Sequence, residues 1–351
     1  MIKLHSSKTT LFIRLSALGD IIMSSSVATV LHERFPGARI VWLVQQEGKD
    51  LVDHNENVDD IIILPRKEWR KLWVQRKWFL LVREIYIFRR NLRSYNFDLV
   101  IDAQGLLKSG IWAWLSGAPR RIGLGSKEGS QFLMTHVIDK PKGDMRIGSE
   151  YRHLIRELGL DDSGYRMHVG LAPDDDRFTE NFIKDNGLAT GYIVLCPFTT
   201  RPQKHWIDSH WAKLIDRINN ELKLPVVILG GPGDQEAAEA IIERTSIRLF
   251  NLVGKTMLRQ AAALIKNAKL LIGVDTGLSH MGTAFEIPTI ALFGSTCPYL
   301  ETDSNKTRII YKNLECSPCG RRPICGGDYT CMKLITAEEV IDTARELLPK
   351  A

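Results

Sequence analysis

Polar residues able to bind a phosphorylated sugar follow an apolar run in the segment 274–284, VDTGLSHMGTA. Asp275 comes directly after the run KLLIGV, and a carboxylate there can accept hydrogen bonds from sugar hydroxyls. Thr276 and Gly277 open a predicted helix, whose unpaired first amides attract phosphate. His280 lies on the first turn of that helix and is expected to face the same ligand. The alternative is structural, with Asp275 as a helix cap and His280 packed in the core.

A second segment, TTRPQKHW at residues 199–206, carries the groups that a diphosphate requires. The hydroxyls of Thr199 and Thr200 and the nearby amides can donate hydrogen bonds, and Lys204 supplies a mobile positive charge. The sequence contains no G-x-x-x-x-G-K-[ST] motif, so this is not the phosphate loop of the nucleoside triphosphatases.

Two further acids follow apolar runs. Asp20 ends the segment SALGD and can take a proton from an incoming hydroxyl group. Asp234 ends GGPGD, where the glycines allow close approach of a ligand and the carboxylate can bind a ribose or a base. For both acids the alternative is a helix cap, since Asp is among the preferred capping residues.

A basic segment spans residues 66–95, where ten Lys or Arg and three Trp accompany two acids. We predict one long helix here, suited to an anionic membrane surface or to an acidic, phosphorylated substrate. The alternative is a helix with a solvated basic face and an ordinary core stripe. That stripe consists of Phe79, Val82, Ile85, Phe88 and Leu92.

Composition is that of a water-soluble, folded protein, with 44% hydrophobic and 25% charged residues and a net charge of +6. No run approaches the roughly 18 apolar residues that cross a bilayer, and the N-terminus has no apolar core of a secretory signal. We therefore expect a cytoplasmic protein. The length of 351 residues indicates two domains.

Four of the six cysteines lie close together in sequence, in the pattern C-x2-C-x5-C-x5-C. They are Cys316, Cys319, Cys325 and Cys331. In a cytosolic protein such a group favours a structural zinc over disulfides, but the spacing lacks the paired C-x2-C knuckles of a zinc ribbon. We predict no metal here and a reduced, loop-packed cluster, with structural zinc as the alternative.

Apolar runs that alternate with helical patterns predict an α/β fold. Four strands are expected in the first half (10–16, ARIVWLV, DDIIILP and FDLVIDAQG) and five in the second (GYIVLCPF, PVVILGG, IRLFNLVG, KLLIGVD and TIALFGS). Each half is then a doubly wound, Rossmann-like parallel sheet, with domains at 1–170 and 171–351 that face a central cleft. A final helix over residues 336–348 begins with the capping box Thr-x-x-Glu.

Five of these motifs, in this order, resemble the ADP-heptose:lipopolysaccharide heptosyltransferases, which form glycosyltransferase family 9, and within them the heptosyltransferase I group. They are RLSALGD, DLVIDAQGLLKS, TTRPQKHW, GVDTGLSHMGTA and PTIALFGST. The resemblance implies a GT-B fold and a glycosyltransferase that moves L-glycero-D-manno-heptose from ADP-heptose to Kdo-lipid A. It further implies inversion at the sugar, with neither metal nor cofactor.

The resemblance also implies roles for individual residues. Asp20 matches the catalytic base, and Lys204 with Thr199 and Thr200 matches the diphosphate loop. The donor-sugar and phosphate loop corresponds to Asp275, Thr276, Gly277 and His280, and Asp234 stands where the family often has a glutamate near the nucleoside. On the acceptor side, Arg66, Lys67, Arg70 and Lys71 match a basic cluster, and Lys127 stands where an arginine is usual. A lysine lacks the bidentate fork of arginine, which changes the expected acceptor geometry.

The implied partners are ADP-heptose, Kdo-lipid A and the anionic inner leaflet, which would place the protein at the periphery of the cytoplasmic face of the inner membrane. One alternative is a transferase of the same fold for a later core sugar or another nucleotide sugar, such as heptosyltransferase II. Another is an inactive sensor of a sugar nucleotide. A nucleic-acid-binding protein would use the basic segment, but no RNA- or DNA-binding motif accompanies it, so no nucleic-acid partner is expected.

Overall fold

The computed structural model describes residues 2, 4, 7–320 and 322–348. The chain divides into two compact units. The first comprises Met1–Asp144 and Gly148–Gly170, and the second comprises Met145–Ile147 and Leu171–Ala351. In the described part of the chain, no helix has both the length and the apolar character needed to cross a bilayer.

The first unit contains a six-stranded parallel sheet with the strand order β3-β2-β1-β4-β5-β6. Its strands are β1 (Thr9–Ile13), β2 (Arg39–Gln45), β3 (Asp60–Leu64), β4 (Leu99–Asp102), β5 (Arg120–Leu124) and β6 (His136–Ile138). Its helices are α1 (Leu18–Arg34), α2 (Lys49–Val52), α3 (Arg66–Val74), α4 (Trp78–Ser94), α5 (Leu107–Leu115) and α6 (Ser149–Glu157). The central strands are apolar and buried because helices connect parallel strands and cover the sheet.

The second unit repeats this architecture with the order β12-β11-β10-β7-β8-β9. Its strands are β7 (Ile193–Cys196), β8 (Val226–Ile228), β9 (Phe250–Asn251), β10 (Leu270–Val274), β11 (Thr289–Phe293) and β12 (Thr307–Tyr311). Its helices are α7 (Pro173–Asp185), α8 (Asp208–Arg217), α9 (Gln235–Ile242), α10 (Leu258–Lys266), α11 (Gly277–Ala284), α12 (Thr330–Lys333) and α13 (Ala337–Leu347). The predicted fold class, α/β with two doubly wound sheets, is confirmed.

In each sheet the strand order reverses direction at one pair of neighbouring strands. In the first sheet this pair is β1 and β4, and in the second it is β7 and β10. Doubly wound sheets bind ligands beyond the carboxyl ends of the strands at such a point, because the connecting loops leave there in opposite directions. These two places are therefore where the polar loops of the sequence are expected to act.

Each sheet has more strands than the sequence patterns predicted. The missed strands are β5, β6 and β12, all of them at or next to a sheet edge. β5 begins with two arginines, β6 has only three residues, and β12 alternates buried and exposed positions. Edge strands do not need the continuous apolar run that predicts a buried central strand.

The single basic helix predicted over residues 66–95 is wrong, because the segment forms two helices, α3 and α4. The chain turns at Arg76, whose φ of 56° is left-handed. The proposed core stripe is also only partly correct. Leu92 is buried and Ile85 and Phe88 pack against the core, but Phe79 and Val82 are 82% and 65% exposed.

Two helix starts differ in detail from the sequence prediction. α1 begins at Leu18, two residues before Asp20, so Asp20 lies inside the first turn and its Oδ2 accepts from the Ala17 amide at 3.2 Å. At α13 one half of the predicted capping box is seen, since the Thr336 hydroxyl accepts from the Glu339 amide at 3.2 Å, while the Glu339 carboxylate pairs with Lys312 at 2.8 Å.

Candidate functional site

In the second unit, Asp275 is the centre of a polar cluster at the end of β10. Its Oδ2 lies 2.5 Å from Lys204 Nζ and also accepts a hydrogen bond from the Thr296 hydroxyl. Its Oδ1 lies 3.5 Å from His280 Nε2. The Thr199 hydroxyl donates to the backbone carbonyl of Asp275 at 3.3 Å. The loops after β7, β10 and β11 thus converge on one carboxylate, as the pairing of these strands dictates.

The Asp275 carboxylate is ionised in this cluster. Burial by itself would raise the pKa of Asp275, since the side chain is only 11% exposed. The His280 ring and the Lys204 ammonium more than offset burial and hold the pKa well below its usual range. In turn, burial and the Asp275 charge raise the pKa of Cys297 to about 11, so that thiol stays protonated. The cluster therefore contains a fixed negative charge and a cation, but no thiolate nucleophile.

His280 is buried rather than open to a ligand. Its Nδ1 lies 2.9 Å from the hydroxyl of Tyr299, which is itself fully buried, and its other ring nitrogen faces Asp275. Sequence reasoning named His280 but missed Thr296 and Tyr299. Thr296 follows the apolar strand β11 in the run FGST, just as Thr199 follows β7. A hydroxyl side chain directly after a buried strand is therefore the sequence pattern that could have identified Thr296.

The amides at the start of α11 lie beside this cluster. Thr276 has extended backbone angles and is the N-cap residue, and Gly277 begins the helix. Both are half-buried. The first amides of a helix lack partners within it and carry partial positive charge, so they are suited to phosphate oxygens. Thr200, the other predicted diphosphate ligand, is exposed in the loop after β7.

In the first unit, Asp20 is paired with an arginine that the sequence analysis did not single out. Arg14 Nη2 lies 2.5 Å from Asp20 Oδ2, and Arg14 Nη1 donates to the carbonyl of Ala103 at 2.5 Å. The Arg14 side chain is 6% exposed, whereas that of Asp20 is 40% exposed. A buried, fixed cation therefore holds an accessible carboxylate at the carboxyl end of β1.

The loop after β4 forms hydrogen bonds to the loop after β1, which leads to Asp20. Gln104 Oε1 accepts from the amides of Leu15 and Ser16 at 3.1 and 3.2 Å. Asp102 fixes this second loop by accepting from the Gln104 amide at 3.0 Å and from the Ser109 hydroxyl at 2.9 Å. Asp102 and Gln104 both lie in the predicted strand FDLVIDAQG, and the pairing of β1 with β4 brings Gln104 to the loop that leads to Asp20.

We expect Arg14→Ala to lower kcat about 100-fold with little change in the KM for donor. The reason is that Asp20 loses the partner that orients it, and a misplacement of about 1 Å can cost that much. Steady-state kinetics with varied donor would measure this.

Arg14→Lys is the matched variant and should recover part of kcat, because an ammonium can still pair with one carboxylate oxygen. An Arg14→Ala protein with an unchanged melting temperature and unchanged kcat would exclude this positioning role.

Asp102 predicts a pH dependence of stability. Burial raises the pKa of Asp102 from 3.8 to about 6, although Gly105, Ser109 and Gln104 donate hydrogen bonds to it. Between about pH 4 and pH 6, the Asp102 carboxyl is therefore protonated in the folded protein and ionised in the unfolded chain. Its contribution to stability is present below about pH 4 and is lost as pH rises through about 6.

We expect Asp102→Asn to abolish this contribution, since an amide remains neutral and can still bond to both loop amides and Ser109. In the native protein, ionisation of Asp102 should lower the free energy of unfolding by on the order of 2 kcal/mol between pH 4.5 and pH 7. In the variant this decrease should be absent. Urea unfolding at the two pH values measures it. An identical pH difference in both proteins would contradict the assignment.

Asp234 lies in its own turn in the second unit. Its Oδ2 accepts from the amide of Gly231 at 2.8 Å, and the turn Pro232–Asp234 leads into α9. The residue is half-exposed. The predicted nucleoside contact stays a prediction.

Three of the predicted acceptor residues line one cavity in the first unit. Arg66, Lys67 and Arg70 surround a space of about 220 Å³ together with the loop after β2. Lys67 pairs with Glu47 of that loop at 2.9 Å. Lys71 is exposed on the same helix.

Two further lysines, Lys127 and Lys108, lie next to the loop after β4. Lys127 is exposed, and its amide donates to the carbonyl of Gly105 in the β4 loop at 3.0 Å. Burial, with the charges of Arg66 and Arg14, lowers the pKa of Lys108. Lys108 therefore lies within electrostatic reach of both the basic cavity and the arginine that holds Asp20. Sequence reasoning missed Lys108, although it lies in the quoted motif DLVIDAQGLLKS.

The four clustered cysteines are free thiols. Cys331 is buried and the other three are half-buried, and burial raises the pKa of Cys319 and Cys331. Among residues 7–320 and 322–348, no three or more His, Cys, Asp or Glu side chains are placed to hold a metal ion. The prediction of a reduced cluster without metal stays a prediction.

Sequence and fold are similar to those of known heptosyltransferases along most of the chain. Lipopolysaccharide heptosyltransferase 1 of Escherichia coli K12 is 27% identical over 312 residues, which cover 86% of this chain and 92% of that protein. The glycosyl transferase family 9 structure from Veillonella parvula DSM 2008 matches with a TM-score of 0.81 at 22% identity, over 99% of this chain and 98% of that one. E. coli heptosyltransferase WaaC with ADP-2-deoxy-2-fluoro heptose matches with a TM-score of 0.70 at 23% identity, over 96% and 99%.

The structural likenesses confirm the predicted GT-B fold. The sequence pattern of glycosyltransferase family 9 (heptosyltransferase) matches residues 85–327, which is more than half of the chain. That range includes the loops after β4, β7, β10 and β11 described above. The resemblance inferred from the motifs is thereby confirmed, and the chain belongs to glycosyltransferase family 9, the heptosyltransferases.

Proposed function

We propose that this protein is an inverting, metal-independent transferase that moves L-glycero-D-manno-heptose from ADP-heptose to Kdo-lipid A, in the inner core of lipopolysaccharide. The observation that carries the proposal is the cluster around Asp275, where Lys204, two threonine hydroxyls and the first amides of α11 meet at the switch point of the second sheet. The name of the E. coli relative and the ADP-heptose analogue in the WaaC structure support the choice of sugar and nucleotide.

In the proposed reaction, Asp20 is the general base. An acceptor hydroxyl oxygen attacks the anomeric carbon of the heptose, and its proton passes to the Asp20 carboxylate as the new carbon–oxygen bond forms. The bond between that carbon and the diphosphate oxygen breaks on the opposite face, so the sugar inverts and ADP leaves with its electron pair. Arg14 orients the carboxylate for this step.

The departing ADP gains negative charge in the transition state. Lys204, the hydroxyls of Thr199 and Thr200, and the amides of Thr276 and Gly277 would stabilise that charge. Because these donors are already held in place, they need little reorganisation during the reaction. Asp20 belongs to the first unit and these phosphate-binding groups belong to the second.

Asp275 is assigned to the donor sugar rather than to the proton transfer. Its pKa lies well below the usual range, which makes it a poor base and a good acceptor of hydrogen bonds from heptose hydroxyls. Lys204 pairs with one of its oxygens at 2.5 Å. When the donor binds, Lys204 would contact both the Asp275 carboxylate and the diphosphate. His280 would hold the Asp275 carboxylate in position through its other oxygen.

The acceptor is assigned to the basic region of the first unit. Arg66, Lys67, Arg70 and Lys71, with Lys127, would bind the phosphates and acid groups of Kdo-lipid A, and arginine can do so with two parallel hydrogen bonds. Lys108 lies within electrostatic reach of both Arg66 and Arg14, which supports an acceptor path that ends at Asp20. Asp234 is assigned to the ribose or base of ADP.

A lipid-linked acceptor places the enzyme at a membrane. We propose that it works at the periphery of the cytoplasmic face of the inner membrane, where anionic lipids attract the basic segment 66–95.

Product analysis tests the proposal most directly. The protein is mixed with ADP-heptose and Kdo-lipid A in the presence of EDTA, and the products are identified by mass spectrometry and by the anomeric configuration of the new linkage. One heptose added per acceptor, with inversion, is expected. Retention would refute direct displacement, activity only after a divalent cation is restored would refute metal independence, and transfer only to an already heptosylated core would reassign the acceptor.

A further inference from the structure

The hairpin of α3 and α4 exposes an unusual concentration of large apolar side chains. Of the 17 such side chains exposed in the described part of the chain, eight lie between residues 73 and 87. We call five of these the apolar tip: Trp73, Val74, Trp78, Phe79 and Val82. Isolated exposed apolar residues are normal on protein surfaces, but a contiguous group marks a surface that binds something.

The tip is an ordered structure and not a frayed end. The rings of Trp73 and Trp78 pack edge to face across the turn, with centroids 4.2 Å apart. The turn is closed by hydrogen bonds from the Arg76 amide to the Trp73 carbonyl and from the Lys77 amide to the Leu72 carbonyl, at 3.0 and 2.9 Å. The apolar groups are therefore presented in a fixed arrangement.

The other end of the hairpin is anchored in the first unit. Trp69, Phe88 and Trp112 form a mutual aromatic cluster with centroids 5.0 to 5.3 Å apart, and Leu92 is fully buried beside it. The same two helices thus have a buried base and an exposed tip. A helix pair that served only to cover the sheet would bury the apolar positions along its whole length.

The charges around the tip are mainly positive, and the nearest acids along the chain are Glu68 and Glu84. Residues 70–83 include five basic side chains and no acid. These are Arg70, Lys71, Arg76, Lys77 and Arg83, all exposed. Aromatic groups flanked by lysine and arginine suit the interface of an anionic bilayer, where rings enter the acyl boundary and cations stay at the phosphates.

We propose that the apolar tip inserts into an anionic lipid bilayer and holds the first unit at the membrane surface. The inference rests on the proposed function, which supplies a lipid-linked acceptor, and it adds a defined insertion element. Attraction by charge alone would leave Trp73, Phe79 and Val82 in water. Insertion buries them, and each large side chain buried in an apolar phase strengthens binding by about tenfold or more.

Vesicle co-sedimentation without any acceptor tests the tip by itself. We expect binding to vesicles that contain phosphatidylglycerol and much weaker binding to pure phosphatidylcholine. Trp73→Ser with Phe79→Ser should reduce the partition coefficient at least about 100-fold, even at high salt. Lys77→Gln with Arg83→Gln should reduce binding mainly at low salt, because salt screens charges but not insertion. Ile324→Ser, 78% exposed in the second unit, is the matched control and should bind like the native protein.

Turnover on two acceptors separates this inference from the proposed function. The Trp73→Ser, Phe79→Ser protein should keep its kcat/KM for a deacylated, water-soluble Kdo-lipid A and lose it for acceptor embedded in vesicles. Unchanged vesicle binding by this variant would overturn the insertion while leaving the function intact. An equal loss of kcat/KM on both acceptors would also overturn it, by assigning the tip to catalysis. A dimer that forms without lipid and is broken by the variant would overturn it too, by assigning the tip to contact with a second copy of the chain.

Discussion

Asp20→Asn should lower kcat by roughly 10² to 10⁴ while ADP-heptose still binds with about native affinity. The amide is nearly the same shape and can still accept from the Ala17 amide, but it cannot take the proton of the attacking hydroxyl. Single-turnover kinetics would measure the chemical step, and calorimetry with ADP-heptose would measure binding.

The fold should tolerate this change. Arg14 loses its ion pair with Asp20 but keeps the Ala103 carbonyl as an acceptor. Glu33→Gln is the matched control, because it makes the same chemical change at an exposed position of the same helix. A native rate for Asp20→Asn, or a loss of the same size for Glu33→Gln, would remove Asp20 from the role of base.

Lys204→Ala should differ from Asp20→Asn by impairing both donor binding and turnover. Loss of one preorganised donor to a developing negative charge costs roughly 10² to 10³ in kcat. The lysine also meets the diphosphate before the reaction, so the Kd for ADP should rise as well. Calorimetry with ADP and steady-state kinetics measure the two effects separately.

A structural consequence of Lys204→Ala follows from the cluster. Asp275 loses the cation at 2.5 Å and retains Thr296 and His280, so the pKa of Asp275 should move up from its depressed position. Lys213→Ala, at an exposed lysine of α8, is the matched control and should change neither binding nor rate. If Lys204→Ala bound ADP as tightly as the native protein and only the rate fell, the lysine would act in the transition state alone.

A base acts on the acceptor proton and leaves ground-state donor binding alone, whereas a diphosphate ligand contributes to both. If both variants lost donor affinity equally, Asp20 would be a donor ligand, and the proton acceptor would have to be sought elsewhere among the residues near Arg14.

The sequence by itself determined the α/β class, the central strands and the loops that carry polar groups. Buried parallel strands need unbroken apolar runs, and the ends of these runs mark where loops begin, so Asp20, Lys204 and Asp275 could be named without coordinates. The family motifs then gave each loop an expected role, and the family match confirms the membership on which those roles depend.

Only the tertiary structure decided which side chains meet. Arg14 pairs with Asp20 six positions away because β1 ends where α1 begins, and Gln104 reaches the same loop because β4 lies beside β1. Thr296 and Tyr299 join Asp275 and His280 for the same reason in the second sheet, where β11 lies beside β10. Strand order is set by packing between distant segments, which local patterns do not encode.

The basic segment shows the limit of periodicity most clearly. In the alternative interpretation, apolar residues at helical spacing form a core stripe, and this is correct from Ile85 to Leu92. At Phe79 and Val82 the same spacing produced an exposed surface, in the first part of α4 that follows the left-handed turn at Arg76. A helical pattern states which residues share a face, but the neighbouring elements decide whether that face meets the core or the solvent.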